Sequence, residues 1–218
     1  MYVSPGVVVG FHGCDQSTAD EVIKNGGTLA DSTNDYDWLG QGIYFWEGSH
    51  ERAIAWAKSK AQSKHIRKPA VVGAFLKLGK CLDLLDSEHI ETVKVAHQIL
   101  EEEFQKLGMP LPENKVVVGD VSFMRELDCK VMLRLQQLNN ENIALELGLS
   151  SVDGQNKRKI QNHPDFIDSV RGMFPEGKEL YRGAGFRDKS HIQLCIVNPN
   201  CIAGYFEPRQ ANSWYKKL

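Results

Sequence analysis

The chain has 218 residues with 42% hydrophobic and 25% charged side chains, proportions that match one ordinary globular domain and exclude disordered and fibrous classes. The formal net charge of −2 gives no overall attraction to nucleic acid. The apolar run at residues 7–9 is too short for a signal peptide or a membrane span, so we expect a cytoplasmic protein without a membrane partner.

The first half of the chain contains four segments with the periodicity of regular structure. They predict strands at 7–13 and 43–46 and helices at 17–25 and 49–66. Ser17 and Ser49 stand where helix N-caps are expected, and Gly26 follows the first helix as its stop signal. Residues 71–86 then alternate as one long strand or as a bulged pair that bends at Gly79.

The second half of the chain is helical at first and then returns to strands. The patterns predict helices at 87–107 and 123–138, a basic loop at 153–162, and strands at 179–186, 190–198 and 201–208. Two β-rich ends around a helical insertion or layer at about 87–170 indicate an α+β fold. We therefore expect a single domain over residues 1–218, with its first and last strands in one core.

Cysteine spacing argues against disulfides and metal. The five cysteines are scattered and form no CxxC pair, so reduced thiols are expected. His191, Cys195 and Cys201 are close in sequence, but the alternation of strand side chains disfavours a shared ion. We predict no metal site.

The stretch YDWLGQGIYFWE, residues 36–47, has more aromatic surface than a solvated turn needs. One interpretation is a buried strand entered through a tight turn. The other is a ligand wall in which Tyr44 faces a planar group and Gly40 and Gly42 let the backbone bend and approach closely.

Three motifs carry a family resemblance. They are GFHGC at 10–14, GQGIYFWE at 40–47 and IQLCIVNPNCI at 192–202. In this order they resemble the signature strands of the ADP-ribosyltransferase superfamily, in its diphtheria-toxin-like and poly(ADP-ribose) polymerase-like branch. The resemblance implies a split, mixed or antiparallel β core with flanking helices, and NAD as co-substrate. That branch has His, Tyr and usually Glu at the three positions that are His12, Tyr44 and Gln193 here.

The resemblance also assigns roles within the NAD site. His12 would hydrogen-bond the adenosine ribose, the backbone of Gly13 would bind the nicotinamide carboxamide, and Tyr44 would stack on the nicotinamide ring. A second aromatic often closes the other side of that ring. Its register position is Ala55, a departure from the family, and the adjacent Trp56 could replace it or pack in the core instead.

The largest departure is Gln193, where the family usually has a carboxylate. An amide keeps a hydrogen bond to the ribose but supplies no negative charge. The enzyme could therefore be slow, could bind NAD without turnover, or could use another carboxylate, of which Glu47 and Asp188 are nearest in sequence. His191 shares a strand face with Gln193 and would act as a base that orients the acceptor, or it is a strand histidine with a structural role.

The resemblance leaves four functions open. The first is mono-ADP-ribosyl transfer to a macromolecule, nucleic acid or protein, as in a toxin or defence effector, with an antitoxin or inhibitor protein as a further partner. The second is NAD hydrolysis. The third, RNA 2′-phosphotransfer, would need further phosphate-binding His and Arg residues that the sequence does not reveal. The fourth is a silent NAD-binding module. Poly(ADP-ribose) synthesis is disfavoured because it depends on the missing glutamate.

Two basic clusters bear on the acceptor. Residues 51–70 hold six Lys or Arg side chains against one Glu, and residues 157–159 are all basic. Such runs are usually solvated helix faces. The first cluster directly follows the Tyr44 strand, so we predict that Lys58, Lys60, Lys64 and Arg67 help to hold a nucleic-acid acceptor.

Overall fold

A computed structural model describes residues 6–63, 65–115 and 124–209. It confirms the α+β class, with one seven-stranded sheet, a small two-stranded sheet and helices on both faces of the large sheet. The strands are β1 Val8–Asp15, β2 Ile43–Glu47, β3 Pro69–Leu76, β4 Cys81–Asp83, β5 Asn114–Lys115, β6 Met124–Arg125, β7 Ser169–Phe174, β8 His191–Ile196 and β9 Ile202–Phe206. The helices are α1 Gln16–Lys24, α2 His50–Gln62, α3 Ser87–Lys106, α4 Glu126–Glu146 and α5 Gly154–Gln161, with a 3₁₀ turn at Pro199–Cys201.

The large sheet has the order β4-β7-β8-β2-β1-β3-β9. Among the strand pairs that the described residues form in this sheet, β4–β7 is parallel and the others are antiparallel. The N-terminal strands β1 and β2 therefore lie in the middle of the sheet, with the late strand β8 beside β2, and the last strand, β9, pairs with β3.

The sheet opens between β1 and β2. These strands pair only at Gly10–Glu47 and Phe11–Trp46, whereas β1 pairs with β3 along its whole length. On its other side, β2 pairs with β8 from Ile43 to Trp46. The ladder between the two central strands thus ends before His12 and Phe45, which would be the next pair in this register.

The two faces of the sheet have separate cores. One face packs against α1 and contains Phe45, Val72 and Leu194, none of them exposed. The opposite face contains Val170 and Cys195, which pack against α3 and α4. On that second face, α2 covers β1 and β3. A space remains between α2 and the start of α4.

Local signals explain the helix ends. Ser49 accepts a hydrogen bond from Arg52 N and caps α2, as predicted. The prediction for α1 was wrong by two residues, because Asp15 is its N-cap and accepts from the backbone N of Ser17. The carboxylate of Asp15 also accepts hydrogen bonds from the backbone N of Arg67 and Lys68. The single hydroxyl of Ser17 could not accept all of these hydrogen bonds. Gly26 has φ +73°, which fits a helix stop.

Three predictions of local structure were wrong in the second half. The basic segment at 153–162 contains helix α5 rather than a loop, and the helix predicted to end at residue 138 continues as α4 to Glu146. Residues 179–186 form turns around Gly183, φ +78°, with one isolated bridge between Glu179 and Arg187. The sequence interpretation also missed β7, although that strand pairs with β8 along its full length.

Other features agree with the sequence or lie beyond the described residues. Gly79, φ +60°, separates β3 from β4, so residues 71–86 form two strands. All five cysteines are free. Lys64 and Phe123 fall outside the described residues. Within the described ranges, no helix is both long and apolar enough to cross a membrane.

Candidate functional site

A cavity of about 260 Å³ lies where the sheet opens, between α2 and the start of α4. Five of the residues that the motifs predicted for an NAD site line it: His12, Gly13, Tyr44, Trp56 and Gln193. They come from four separate elements and are brought together only by the strand order. Gly42 does not line the cavity. It lies against β8, where a Cβ would be 2.5 Å from the carbonyl oxygen of Ile196.

His12 bridges the opening between the two central strands. Its Nδ1 is 2.8 Å from the carbonyl oxygen of Tyr44, and a carbonyl can only accept, so Nδ1 carries the proton. Burial lowers the pKa of His12, which keeps the ring neutral at pH 7. The ring edge packs on Phe45, with 5.9 Å between centroids. His12 therefore presents an unprotonated Nε2 as a hydrogen-bond acceptor.

Tyr44 supplies a fixed ring rather than a reactive hydroxyl. The hydroxyl donates to the carbonyl oxygen of Gly40 at 2.7 Å and accepts from the backbone N of Leu39 at 3.1 Å. Burial raises the pKa of Tyr44 well above its usual value, so the phenol stays protonated. Because the hydroxyl both donates and accepts a hydrogen bond within its own loop, Tyr44 is suited to stacking through its ring and not to proton transfer.

Gly13 and Trp56 define the α2 side of the cavity. A Cβ on Gly13 would overlap the carbonyl oxygen of Ala53 and lie 3.2 Å from the Trp56 ring. Glycine at this position therefore lets α2 approach β1 closely. Trp56 is 36% exposed, with its ring centroid 5.7 Å from that of Trp46 and Lys60 Nζ 5.5 Å above it. Trp56 is thus a cavity wall and not a buried core residue.

Gln193 is held by a tryptophan that the sequence interpretation did not assign to the site. Trp38 Nε1 donates to Gln193 Oε1 at 2.5 Å. The indole of Trp38 lies over Gly172 of β7, where a Cβ would be 2.7 Å from the ring. Since the amide oxygen is turned toward Trp38, the amide nitrogen is the group of Gln193 that remains for a ligand.

The two substitute carboxylates predicted from sequence are elsewhere. Glu47 is in an ion pair with Arg171, at 2.7 Å, and alternates with the cavity residue Trp46, so it faces the other side of the sheet. Asp188 accepts from the backbone N of Lys178 in the loop before β8. Neither lines the cavity.

Glu176 is the carboxylate that the fold adds to the site. It follows β7, lines the cavity, and its Oε2 is 2.6 Å from Arg52 Nη2 on α2. Asp37 also lines the cavity, but its oxygens accept from the backbone N and side-chain amide of Asn34 and so hold the loop. Glu176 was not identified from the sequence, because β7 was not predicted. That strand brings Glu176, which follows it in the chain, near β8.

His191 lies beside the cavity with an unsatisfied nitrogen. Its Nδ1 donates to the carbonyl oxygen of Lys189 at 2.8 Å and is 3.8 Å from Glu176 Oε2. Among the described residues, His191 Nε2 has no hydrogen-bond partner, and the same holds for Trp46 Nε1 and Arg52 Nε. Burial lowers the pKa of His191, so its Nε2 is unprotonated at neutral pH. A polar ligand or water in this corner would satisfy these buried atoms.

The side of the cavity away from α2 carries a stacked cation. Arg125, at the end of β6, has its guanidinium carbon 5.0 Å from the Trp38 ring centroid and 4.5 Å from that of Phe174. Its side chain is 14% exposed, and burial lowers its pKa. No sequence motif indicated this residue, because it comes from the helical middle of the chain, which the three motifs do not cover.

Four basic residues were predicted to hold nucleic acid; Lys64 lies outside the described residues, and of the other three the structure places one at the cavity. Lys60 lines it. Lys58 is exposed on α2, and Arg67 lies beyond the end of that helix, where its backbone N is bound by Asp15. The helix therefore does not carry the whole row toward the site.

One group of potential metal ligands lies outside the cavity. Glu146, His163 and Asp165 have ligand atoms within 4.8 Å of one another. The carboxylates of Glu146 and Asp165 are more than half exposed, and Asp165 is paired with Lys80 at 2.8 Å. Exposed acidic groups of this kind are common without an ion, and none of these residues lines the cavity.

Comparison with known proteins finds a distant archaeal relative. The chain is 23% identical over 207 residues to the uncharacterized protein MJ0359 of Methanocaldococcus jannaschii, which covers 88% of this chain and 83% of the relative. No protein-family model and no solved structure matches the chain. The similarity to the archaeal protein thus extends over most of both chains, and its name states no activity.

Proposed function

We propose that the protein is an NAD-dependent mono-ADP-ribosyltransferase with an ADP-ribosyltransferase-like fold. One observation carries the proposal: residues from three motifs far apart in sequence meet in one cavity, at the point where the central strands separate. His12, Tyr44 and Gln193 occupy adjacent strands of one sheet, in the order β1, β2, β8.

The cavity residues fit the nicotinamide half of NAD. Tyr44 offers a ring whose hydroxyl is already used, and Trp56 offers a second ring on the α2 side. The backbone of Gly13 would bind the carboxamide, and His12 Nε2 would accept from a hydroxyl of the adenosine ribose. A volume of about 260 Å³ suits part of a dinucleotide rather than all of it, so the adenine end would extend out of the cavity.

The reaction would break the bond between nicotinamide and ribose. Positive charge develops on the ribose as this bond lengthens, as it does in glycoside cleavage. Gln193 can hydrogen-bond the ribose through its amide nitrogen but adds no charge. Glu176 supplies a carboxylate in the same cavity. Its ion pair with Arg52 fixes the position of this carboxylate and weakens the electrostatic effect of its negative charge on the ribose. These features support slow chemistry rather than none.

The acceptor would be a macromolecule, nucleic acid or protein, which agrees with a toxin or defence effector controlled by an antitoxin or inhibitor protein. His191 would act on the acceptor side. Its neutral ring with an unpartnered, unprotonated Nε2 has the form that a general base needs, and Glu176 lies on its Nδ1 side.

A second candidate follows from the contact at Gln193. Because Trp38 already occupies Gln193 Oε1, the side chain is positioned as part of the wall. This favours an NAD-binding module without transfer, or an NAD glycohydrolase in which water is the acceptor, over an enzyme that elongates poly(ADP-ribose).

Product analysis with labelled NAD tests the proposal and separates these functions. The protein is incubated with adenylate-labelled NAD alone, and then with protein, RNA and DNA pools. Label on a macromolecule supports transfer, free ADP-ribose supports hydrolysis, and binding without product supports the silent module. Absence of NAD binding at millimolar NAD, measured by calorimetry, would refute the assignment of the site.

A further inference from the structure

Three buried nitrogen atoms beside the cavity have no hydrogen-bond partner in the described part of the chain. They are Trp46 Nε1, Arg52 Nε and His191 Nε2, and we call these three residues the polar corner. Trp46 is 6% exposed and His191 is 9% exposed, so bulk solvent does not satisfy these atoms. Because buried polar groups are nearly always hydrogen-bonded, the polar corner indicates a site for a polar ligand or water.

The polar corner is grouped around one carboxylate. Arg52 Nη2 is 2.6 Å and His191 Nδ1 is 3.8 Å from the same oxygen, Glu176 Oε2. The ring centroids of Trp46 and His191 are 6.0 Å apart, and Trp46 and Glu176 both line the cavity. Trp46 is also paired across the strands with Gln193, the residue expected to contact the ribose of NAD. A group bound in the polar corner would therefore lie next to the reacting ribose.

The chemistry of the three nitrogens fixes what the polar corner can bind. Trp46 Nε1 and Arg52 Nε each carry one proton and can only donate. His191 Nδ1 donates to the carbonyl oxygen of Lys189, and burial lowers the pKa of this histidine, so Nε2 carries no proton and accepts. The polar corner therefore offers two donors and one acceptor.

A hydroxyl group has the complementary set, because its oxygen accepts two hydrogen bonds and its proton donates one. We propose that the polar corner binds a hydroxyl group and that the acceptor of ADP-ribose is an alcohol oxygen, the seryl hydroxyl of a protein. This oxygen accepts from Trp46 Nε1 and Arg52 Nε and donates to His191 Nε2. The assignment of the polar corner to the acceptor rests on the proposed function. Water has the same hydrogen-bonding capacity and occupies the polar corner when no acceptor is bound.

Other acceptor groups do not match this set of donors and acceptor. A guanidinium and an ammonium group have no hydrogen-bond acceptor, and a carboxylate has no proton for His191 Nε2. A carboxamide meets the count only with two atoms. The lone pair on its nitrogen is delocalised, so the atom that would face His191 is a poor nucleophile.

Burial and charge favour a protein over a nucleic acid as the source of the hydroxyl. The three nitrogens are sealed from solvent, so the group that reaches them must be slim. A primary hydroxyl on one carbon is slimmer than a secondary hydroxyl on a ribose ring. The net charge of −2 does not attract a polyanion, and of Lys58, Lys60 and Arg67 only Lys60 lines the cavity.

The residues of the polar corner account for the proton in the transfer step. The hydroxyl oxygen forms a bond to ribose C1′ while the bond from C1′ to the nicotinamide nitrogen breaks. The electron pair of the broken bond stays on that nitrogen, so nicotinamide leaves as a neutral molecule. The hydroxyl proton passes to His191 Nε2, and Nδ1 of the resulting imidazolium is 3.8 Å from Glu176 Oε2.

A crystal structure of the protein without added ligand tests the polar corner independently of activity. We expect one ordered oxygen within about 3.2 Å of Trp46 Nε1, Arg52 Nε and His191 Nε2. Trp46→Phe keeps an aromatic ring but removes the N–H group, so the oxygen should be less well ordered in that variant. A polar corner without such an oxygen, or three nitrogens that bind separate partners, would overturn the proposal.

Small probes identify the chemistry of the acceptor. NAD is supplied with methanol, methylguanidine, methylammonium or acetamide, and the products are separated by chromatography. We expect methanol to give the methyl glycoside of ADP-ribose, whereas the other three should leave only the ADP-ribose that water produces. With labelled NAD and a protein pool, mass spectrometry should locate ADP-ribose on serine.

Variants distinguish a hydroxyl site from a structural role. At saturating NAD, Trp46→Phe should form the methyl glycoside about twofold to tenfold more slowly than the parent, the effect of one hydrogen bond. His191→Gln keeps an acceptor oxygen but no base and should be slower by about a hundredfold or more. His97→Gln is the matched control, since His97 lies on α3 and does not line the cavity, and it should react like the parent. NAD affinity from calorimetry and folding from circular dichroism should stay at the parent level in all three.

The proposal is overturned if methylguanidine or methylammonium is modified and methanol is not, or if ADP-ribose is found on arginine, lysine or a nucleic acid. It is also overturned if both variants of the polar corner form the glycoside as fast as the parent, or if His97→Gln is slowed as much as they are. Loss of NAD affinity in both would show that the polar corner binds the dinucleotide instead. A parent that binds no NAD refutes the proposed function, and the crystal structure still decides whether the polar corner binds a hydroxyl.

Discussion

Replacing Gln193 by glutamate tests how the charge at this position limits the reaction. The two side chains have nearly the same shape, and the carboxylate would keep the hydrogen bond from Trp38 Nε1, now charge-assisted. A negative charge facing the developing ribosyl cation is worth on the order of 3 kcal/mol, or about a hundredfold in rate. Repulsion from Glu176 is reduced because that carboxylate is paired with Arg52 at 2.6 Å.

We therefore expect Gln193→Glu to release nicotinamide about tenfold to a hundredfold faster than the parent at neutral pH. Gln193→Ala should be slower than the parent, since it loses the hydrogen bond as well. The assay follows nicotinamide by chromatography at saturating NAD, with folding checked by circular dichroism. Equal rates in the parent and both variants would show that position 193 does not face the reacting carbon.

Three further predictions concern the site and its scaffold. His12→Ala and Tyr44→Ala should each weaken NAD binding about tenfold or more in calorimetry while the protein stays folded; unchanged affinity in both would remove them from the site. Gly13→Ala should lower the free energy of unfolding by about 1–3 kcal/mol in urea, because its Cβ overlaps α2, whereas Gly204→Ala, whose Cβ meets nothing within 4 Å, should not show that overpacking loss. Burial lowers the pKa of His12 and His191, so below about pH 6.5 the unfolded chain binds more protons than the folded one and stability should fall as pH decreases. His191→Gln should flatten that dependence in denaturation measured at successive pH values, and an equally steep fall in this variant would contradict the assignment.

The elements nearest the motifs were predictable because local pattern and turn chemistry specify them. β1, β2 and β8 are short apolar strands bounded by clear signals, and all three were found within a few residues. The order of these strands in the sheet could not be read from periodicity. The meeting of His12, Tyr44 and Gln193 in one cavity was expected only from the family resemblance.

The missed site residues share a physical cause. Trp38, Glu176 and Arg125 reach the cavity through tertiary contacts: a hydrogen bond to β8, an ion pair to α2 and stacking on two rings. The spacing of residues along the sequence does not indicate such contacts. The strand β7, which places Phe174 and Glu176, was hidden because its residues 169–174 include a glycine and an arginine within a short run.

A similar limit explains the basic segment after β2. Its charge predicted a row of basic side chains along one helix, but α2 ends at Gln62, and of Lys58, Lys60 and Arg67, the three that the structure describes, only Lys60 lines the cavity. Charge count gives the composition of a segment and not the face on which each side chain lies.

A crystal structure of the parent protein with bound NAD or nicotinamide would test the central claim most directly. We predict that the nicotinamide ring stacks on Tyr44, that its carboxamide is hydrogen-bonded to the backbone of Gly13, and that the ribose lies within hydrogen-bond reach of Gln193. A ligand bound in another cavity, or a nicotinamide ring placed away from Tyr44 at saturating concentration, would contradict the assignment of this cavity as the NAD site.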